Sequence, residues 1–205
     1  MTSTNKMPKD SHLQRIIEFT DLLHTFRNVE RTVSIRGSDR IENDVEHSYM
    51  LAMLADYIIS LENLTLDRQK VMHYALAHDL VETYAGDTYF YSSDTEHINS
   101  KHKRESDALV RMRSEFQEHE SLWKIIEAYE TRVDDESRFV YALDKVQPVI
   151  HIYLDGGKSW KKHGVQLEHL TEMKNDKVKL SPVIEKYWKE LVEILDKNRK
   201  ELFPN

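Results

Sequence analysis

An all-α fold is predicted by three observations. Gly and Pro are scarce, at 5 and 4 of 205 residues. Apolar residues recur at spacings of three and four, and strand-like alternation is nearly absent. The length suffices for one sizeable core. The expectation is a single domain over 1–205, with a core of about 10–160 and C-terminal helices over 165–203 packed on it.

The first helix is expected over about 11–28, where Ile16, Ile17, Phe19, Leu22, Leu23 and Phe26 form an apolar face. Residues 31–43, rich in Arg, Ser, Gly and Asp, read as a loop. Asn43 with Glu46 matches a capping box, so a helix should start near Asp44 and run to about Leu61. After a turn at 63–67, the next helix covers about 67–84 and stops at Gly86, a suitable residue just past a helix end. Residues 88–95 read as an aromatic and polar loop. A long helix follows over about 96–119, then a shorter one over 121–131. Asp134 or Asp135 caps a helix reaching Leu154. Pro148 lies inside it, and its ring clashes with the carbonyl of Asp144, so a kink is expected there. Gly156-Gly157 stops that helix. Two more, about 166–175 and 181–202, close the chain.

Charge and composition exclude several classes. The net charge is −7, with both signs mixed along the chain, which argues against nucleic-acid binding. An anionic substrate would have to be met by local cations or a metal. There is no cysteine, so disulfides and thiolate chemistry are excluded, and the usage fits a reducing cytoplasm. No apolar run is long enough to span a bilayer. Residues 1–10 lack the apolar core of a signal peptide.

Four polar residues then stand out, because they lie in or beside the apolar stripes of three expected helices. His47 shares a face with Met50, Leu51, Leu54 and Ile58. His78 aligns with Val71, Tyr74, Ala75 and Glu82. Asp144 follows Val140 and Tyr141 by four and three. Asp79 lies about 100° around from His78, so both can ligate one ion only near the rim of a packed interface. An unpaired carboxylate inside costs several kcal/mol or more, which a metal ion would offset. Two imidazoles and two carboxylates suit Mn, Co, Fe, Ni or Zn. An octahedral ion would keep positions for water and substrate.

The ordered set resembles the HD superfamily of metal-dependent phosphohydrolases. The family's H…HD…D pattern is read in Glu46-His47-Ser48, Ala77-His78-Asp79-Leu80-Val81-Glu82 and Ala142-Leu143-Asp144-Lys145. Within the superfamily the chain is most similar to the bacterial 5′-deoxynucleotidases and their HD-domain-containing relatives, over about residues 10–160. Three features carry that match: the run from His78-Asp79 through Glu82 to Gly86-Asp87, the Val45-Glu46-His47-Ser48 helix start, and Arg31 ahead of the first His. Thr32 stands where the nucleotidases carry an aromatic residue, and Thr88-Tyr89-Phe90-Tyr91 where they often carry a proline.

The resemblance implies a homodimer that hydrolyses deoxynucleoside 5′-monophosphates. It implies one divalent metal ion (Mn, Co, Zn, Ni, Fe or Mg) on His47, His78, Asp79 and Asp144. Glu82 and Asp87 would be the catalytic acidic residues, near the attacking water and the leaving oxygen. Arg31 would hold the substrate phosphate. Lys145, which follows a ligand directly, could also meet an anion. Two alternatives stand beside this reading. One is an HD-type hydrolase of nucleoside triphosphates, cyclic nucleotides or alarmones, which a dense cationic wall would favour. The other is a non-catalytic, metal-stabilised helical binding protein.

Overall fold

Asn43 shows how local chemistry sets the architecture. Its side chain accepts the Glu46 amide at 3.0 Å, and Glu46 returns a carboxylate to the Asn43 amide at 3.2 Å. This capping box starts a helix at Asp44, as the sequence predicts. The computed structural model describes residues 11–86 and 95–204, and the fold is all-α with one small hairpin. Asp87 and Tyr89–Tyr91 lie outside the described residues.

The helices in chain order are α1 (His12–Phe26), α2 (Asp44–Leu61), α3 (Arg68–Ala77), α4 (Glu82–Ala85), α5 (Thr95–Glu115), α6 (Glu120–Thr131), α7 (Asp135–Leu154), α8 (Lys158–His163), α9 (Leu167–Val178), α10 (Pro182–Lys197) and α11 (Arg199–Leu202). Two strands, β1 (Glu30–Ser34) and β2 (Ile41–Asn43), pair antiparallel between α1 and α2.

Three differences from the sequence expectation bear on function. Residues 31–43 form a hairpin rather than a plain loop. The β-branched residues Thr32, Val33 and Ile35 favour extended backbone, and Gly37, at φ +75°, supplies the turn. The helix expected over 67–84 is broken. After the His78 amide bonds to Tyr74 O, the pattern tightens: Leu80 N donates to Ala77 O and Glu82 N to Asp79 O, each spanning three residues. The segment 158–163, beyond Gly156-Gly157, is a further short helix. It is pinned from the far end of the chain, because a Cβ on Gly157 would lie 2.0 Å from the Leu202 carbonyl oxygen.

Helix α7 is the hub. It packs on α2, α3, α6, α8, α9, α10 and β1, and it runs through Pro148 to Leu154. One apolar cluster joins α2, α3 and α7 to the C-terminal helices through residues such as Leu51, Tyr74, Leu143, Trp160 and Leu195. A second joins α1, α5, α6 and the α3–α4 turn through Phe26, Leu80, Met112 and Trp123. Ala75 belongs to the first cluster and Ala77 to the second, so His78-Asp79 falls at their seam.

Asp134 ties α7 to α3. Its carboxylate accepts the Ser137 amide at 2.8 Å and the Tyr74 hydroxyl at 2.8 Å, and Lys70 Nζ lies 2.6 Å away. Burial works against its ionisation, but Lys70, Ser137 and Tyr74 outweigh burial and bring the carboxyl down to about 2. The folded-state pKa is depressed. The stabilisation is therefore complete above the ordinary aspartate value of about 3.9 and is lost as the pH falls through about 2. Asp134→Ala is expected to cost about 1–2 kcal/mol at pH 7. It should also remove this part of the acid-induced loss, as read by urea denaturation across pH.

Candidate active site

Each predicted site residue is placed by a local rule. The hairpin carries Arg31 on β1 and the buried Glu42 on β2. The capped start of α2 carries Asp44 and, one turn on, His47, both fully buried. The tightened turn after α3 lets His78 and Asp79 both face the same point. That is how adjacent residues escape the 100° separation a continuous helix would impose. The middle of α7 supplies Asp144.

These residues meet in a closed quartet. His47 Nε2 lies 3.0 Å from Asp144 Oδ1 and 3.7 Å from Asp79 Oδ2. His78 Nε2 lies 3.0 Å from Asp79 Oδ2 and 3.7 Å from Asp144 Oδ1. Donor atoms bound to one ion at roughly 2.0–2.2 Å stand about 3.0–3.5 Å apart, so these four atoms could hold a divalent cation. The chemistry of His78 agrees. Its Nδ1–H donates to Ala75 O at 3.0 Å, which leaves Nε2, buried and without a hydrogen-bond partner, aimed at the carboxylates.

The electrostatics describe a site that wants a cation. Burial alone would raise Asp79, yet His78 and Arg31 hold it well below the usual carboxylate range. Asp144 is likewise held down, against burial, by Lys145 and both imidazoles. Burial pulls His78 down, but Asp79 and Asp144 push it up to about 10. His47 is lowered by burial and by Arg31. A divalent cation here would meet the same two carboxylates that push His78 up.

Around the quartet, Arg31 Nη1 donates to Asp44 and Asp79, each at 3.0 Å, and Nε lies 3.7 Å from Glu42. Arg31 is therefore engaged with three carboxylates. Glu82 is buried beside Asp79, and Lys101 Nζ donates to its Oε1 at 3.2 Å. Lys145 Nζ ion-pairs with Asp144 Oδ2 and lies 4.9 Å from the centre of the Tyr141 ring. A cavity of about 420 Å³ opens here. Asp79, Glu82 and Asp144 line it, with Arg31, Lys145, Lys174 and Lys177, and with apolar walls from Val149, Ile152, Trp160 and Leu170. Its size suits a small-molecule ligand.

The HD domain model matches residues 23–188. The chain belongs to the HD domain family. Among curated relatives, the 5′-deoxynucleotidase HDDC2 of Danio rerio is 26% identical over 144 residues, covering 69% of this chain and 70% of that protein. The Homo sapiens HDDC2 is 27% identical, covering 73% of each chain. The 5′-deoxynucleotidase YGK1 of Saccharomyces cerevisiae is 27% identical, covering 80% of this chain and 78% of its own. Among solved structures, a protein from Magnetospirillum magnetotacticum described as a predicted metal-dependent phosphohydrolase superposes with a TM-score of 0.78. It is 27% identical and covers 94% of this chain and 98% of its own.

The structure brings seven of the eight predicted residues of this HD domain to one place; Asp87 is not described. Sequence reasoning missed Glu42 and Asp44, the two buried carboxylates that Arg31 meets. It also missed Lys101, Lys174 and Lys177. The capping box could have flagged Asp44, since it places that residue in the same first turn as His47. Lys174 and Lys177 gave no signal, because they look like ordinary charges on a surface helix. His151 meets Glu42 Oε1 at 3.3 Å and Gln147 at 3.3 Å, beside the quartet rather than in it. Arg40 pairs with Glu46.

Removing Arg31 takes the guanidinium away from the buried Asp44 and Glu42. Arg31→Ala is expected to destabilise the metal-free protein by about 3–5 kcal/mol in urea denaturation. Arg31→Lys should recover only part of that, since one ammonium cannot bridge three carboxylates in a fixed plane.

Proposed function

We propose that this HD domain is a metal-dependent phosphohydrolase that removes phosphate from (deoxy)nucleoside 5′-monophosphates. The observation that carries the reading is the His47–His78–Asp79–Asp144 quartet, joined by contacts of 3.0–3.7 Å, opening onto a cavity that also holds the buried Glu82. The 5′-deoxynucleotidase relatives and the phosphohydrolase-like structure support it.

In this reading the quartet is the metal site. The candidate ions are Mn, Co, Zn, Ni, Fe and Mg, and two imidazole donors favour the transition metals. A bound ion supplies a polarised phosphoryl oxygen and a water of lowered pKa. The chain's own residues do the rest. Arg31 orients Asp79, and Ala75 O orients the His78 ring. Glu82 takes a proton from the attacking water, its carboxylate positioned by Lys101. Asp87 gives the leaving 5′-oxygen its proton. Arg31 and Lys145 meet the substrate phosphate.

The chain acts as one domain, a reading supported by the apolar cluster that runs from Leu51 to Phe203. No described helix is long and apolar enough to cross a membrane. We place the protein in the cytoplasm, with the absence of cysteine as support. It works as a homodimer. Val45, Tyr49, Met53 and Tyr57 recur every four residues on the exposed side of α2, flanked by the exposed Met50 and Leu61. A second copy is the occupant that would cover this stripe.

Two outcomes are expected. Metal-loaded protein should release phosphate from nucleoside 5′-monophosphates. Glu82→Gln should cut that release by about 10²–10⁴-fold with metal content unchanged, and Asp144→Ala should lose the metal itself. Phosphate assay and elemental analysis read both, and metal-loaded wild type inert toward every monophosphate would sink the reading. Separately, Met53→Glu should convert a dimer to a monomer in light scattering, with the circular dichroism unchanged.

A further inference from the structure

The cations nearest the quartet are already matched to carboxylates. Arg31 is shared by Glu42, Asp44 and Asp79. Lys101 lies 3.2 Å from Glu82 and 3.1 Å from Glu105. Lys145 pairs with Asp144. An incoming phosphate dianion would have to compete with those carboxylates for each of them.

Helix α9 offers a different kind of cation. Lys174 lines the cavity, and its Nζ donates to the Lys145 carbonyl oxygen at 2.7 Å. Among the described residues no carboxylate stands within ion-pair distance of it. Lys177, one turn on and on the same face of α9, lines the same cavity. Both feel Asp144 and Lys145 electrostatically, so both lie close to the quartet. Burial, and then repulsion from Lys145, push Lys174 down to about 7 and Lys177 to about 8. Holding the Lys174 ammonium in a buried position close to Lys145 is unfavourable until an anion joins them. The Lys174–Lys145 contact aims the side chain at α7, one residue past Asp144.

We propose that Lys174, with Lys177 beside it, is a second phosphate-recognition pair that joins Arg31 and Lys145 at this site: two ammonium groups on α9 that receive non-bridging oxygens of the substrate's phosphate. This rests on the phosphohydrolase reading for the identity of the substrate, but not for the binding of phosphate itself. Lysine suits the task as a point charge that needs no fixed plane. The pair acts on ground state and transition state alike, so it governs KM more than kcat.

The test uses metal-loaded, full-length protein with inorganic phosphate as the probe, measured by calorimetry, alongside nucleotide hydrolysis. Lys174→Met should weaken phosphate binding by about tenfold or more and raise KM for the nucleotide by a similar factor. The value of kcat should stay within about threefold, and metal content should not change. Lys177→Met, which leaves the Lys174–Lys145 contact in place, should weaken phosphate in the same direction. Lys174→Arg, which keeps the charge, should restore most of the affinity. Phosphate affinity unchanged in both methionine variants would overturn the proposal even if the wild type hydrolyses nucleotides. Lysine-dependent phosphate binding by a wild type that hydrolyses no nucleotide would uphold the pair and overturn the nucleotidase reading instead.

Discussion

Arg31 lies between Asp44 and Asp79, 3.0 Å from each, with Glu42 at 3.7 Å, and the rest of the site depends on that contact. A helical bundle of this size cannot hold several ionised carboxylates in its interior unless each finds a cation. One planar guanidinium serves three of them at once, and a lysine could not copy that geometry. The small hairpin exists in the right place for this purpose. It lifts Arg31 and Glu42 out of a helix and sets them against the capped start of α2. Asp79 is thereby fixed from one side by an arginine, while its other contacts face the two imidazoles.

The second constraint is the break between α3 and α4. Regular helix would send His78 and Asp79 in different directions. Three-residue hydrogen bonds at Leu80 and Glu82 tighten the turn and bring both side chains to one point. The same turn starts α4 at Glu82, which buries that carboxylate next to Asp79. A local departure from helical geometry thus yields two quartet members and the proposed base together. It lies where the two apolar clusters meet, so packing from both sides holds the departure in place.

Much of this was legible in the sequence. The Asn43–Glu46 box marked the start of α2 to the residue, because capping is decided by neighbours three positions apart. The apolar periodicity located the helices, and His47, His78-Asp79 and Asp144 were visible as polar residues in or beside apolar stripes. What stayed hidden depended on contacts between distant segments. Asp44 was read only as the start of a helix, yet it is fully buried against Arg31. Lys174 and Lys177 looked like solvated charges until α9 was packed against α7. The break after Ala77 carried no Gly or Pro to announce it, and the turn lies where Leu80 and Val81 are buried. The hairpin hid behind the polar residues of its own turn, although Thr32-Val33-Ser34-Ile35 carried a β-branched signal.

The contact between the Trp160 indole and Phe203, stacked at 4.7 Å between ring centroids, gives the last residues of the chain a hand in the cavity. Trp160 forms part of its apolar wall, and the close approach of Gly157 to Leu202 clamps α8 from the same end. The charged centre and this wall therefore answer to different parts of the sequence: residues 47–144 set the quartet, while the ring at 203 braces the indole that bounds the cavity beside it.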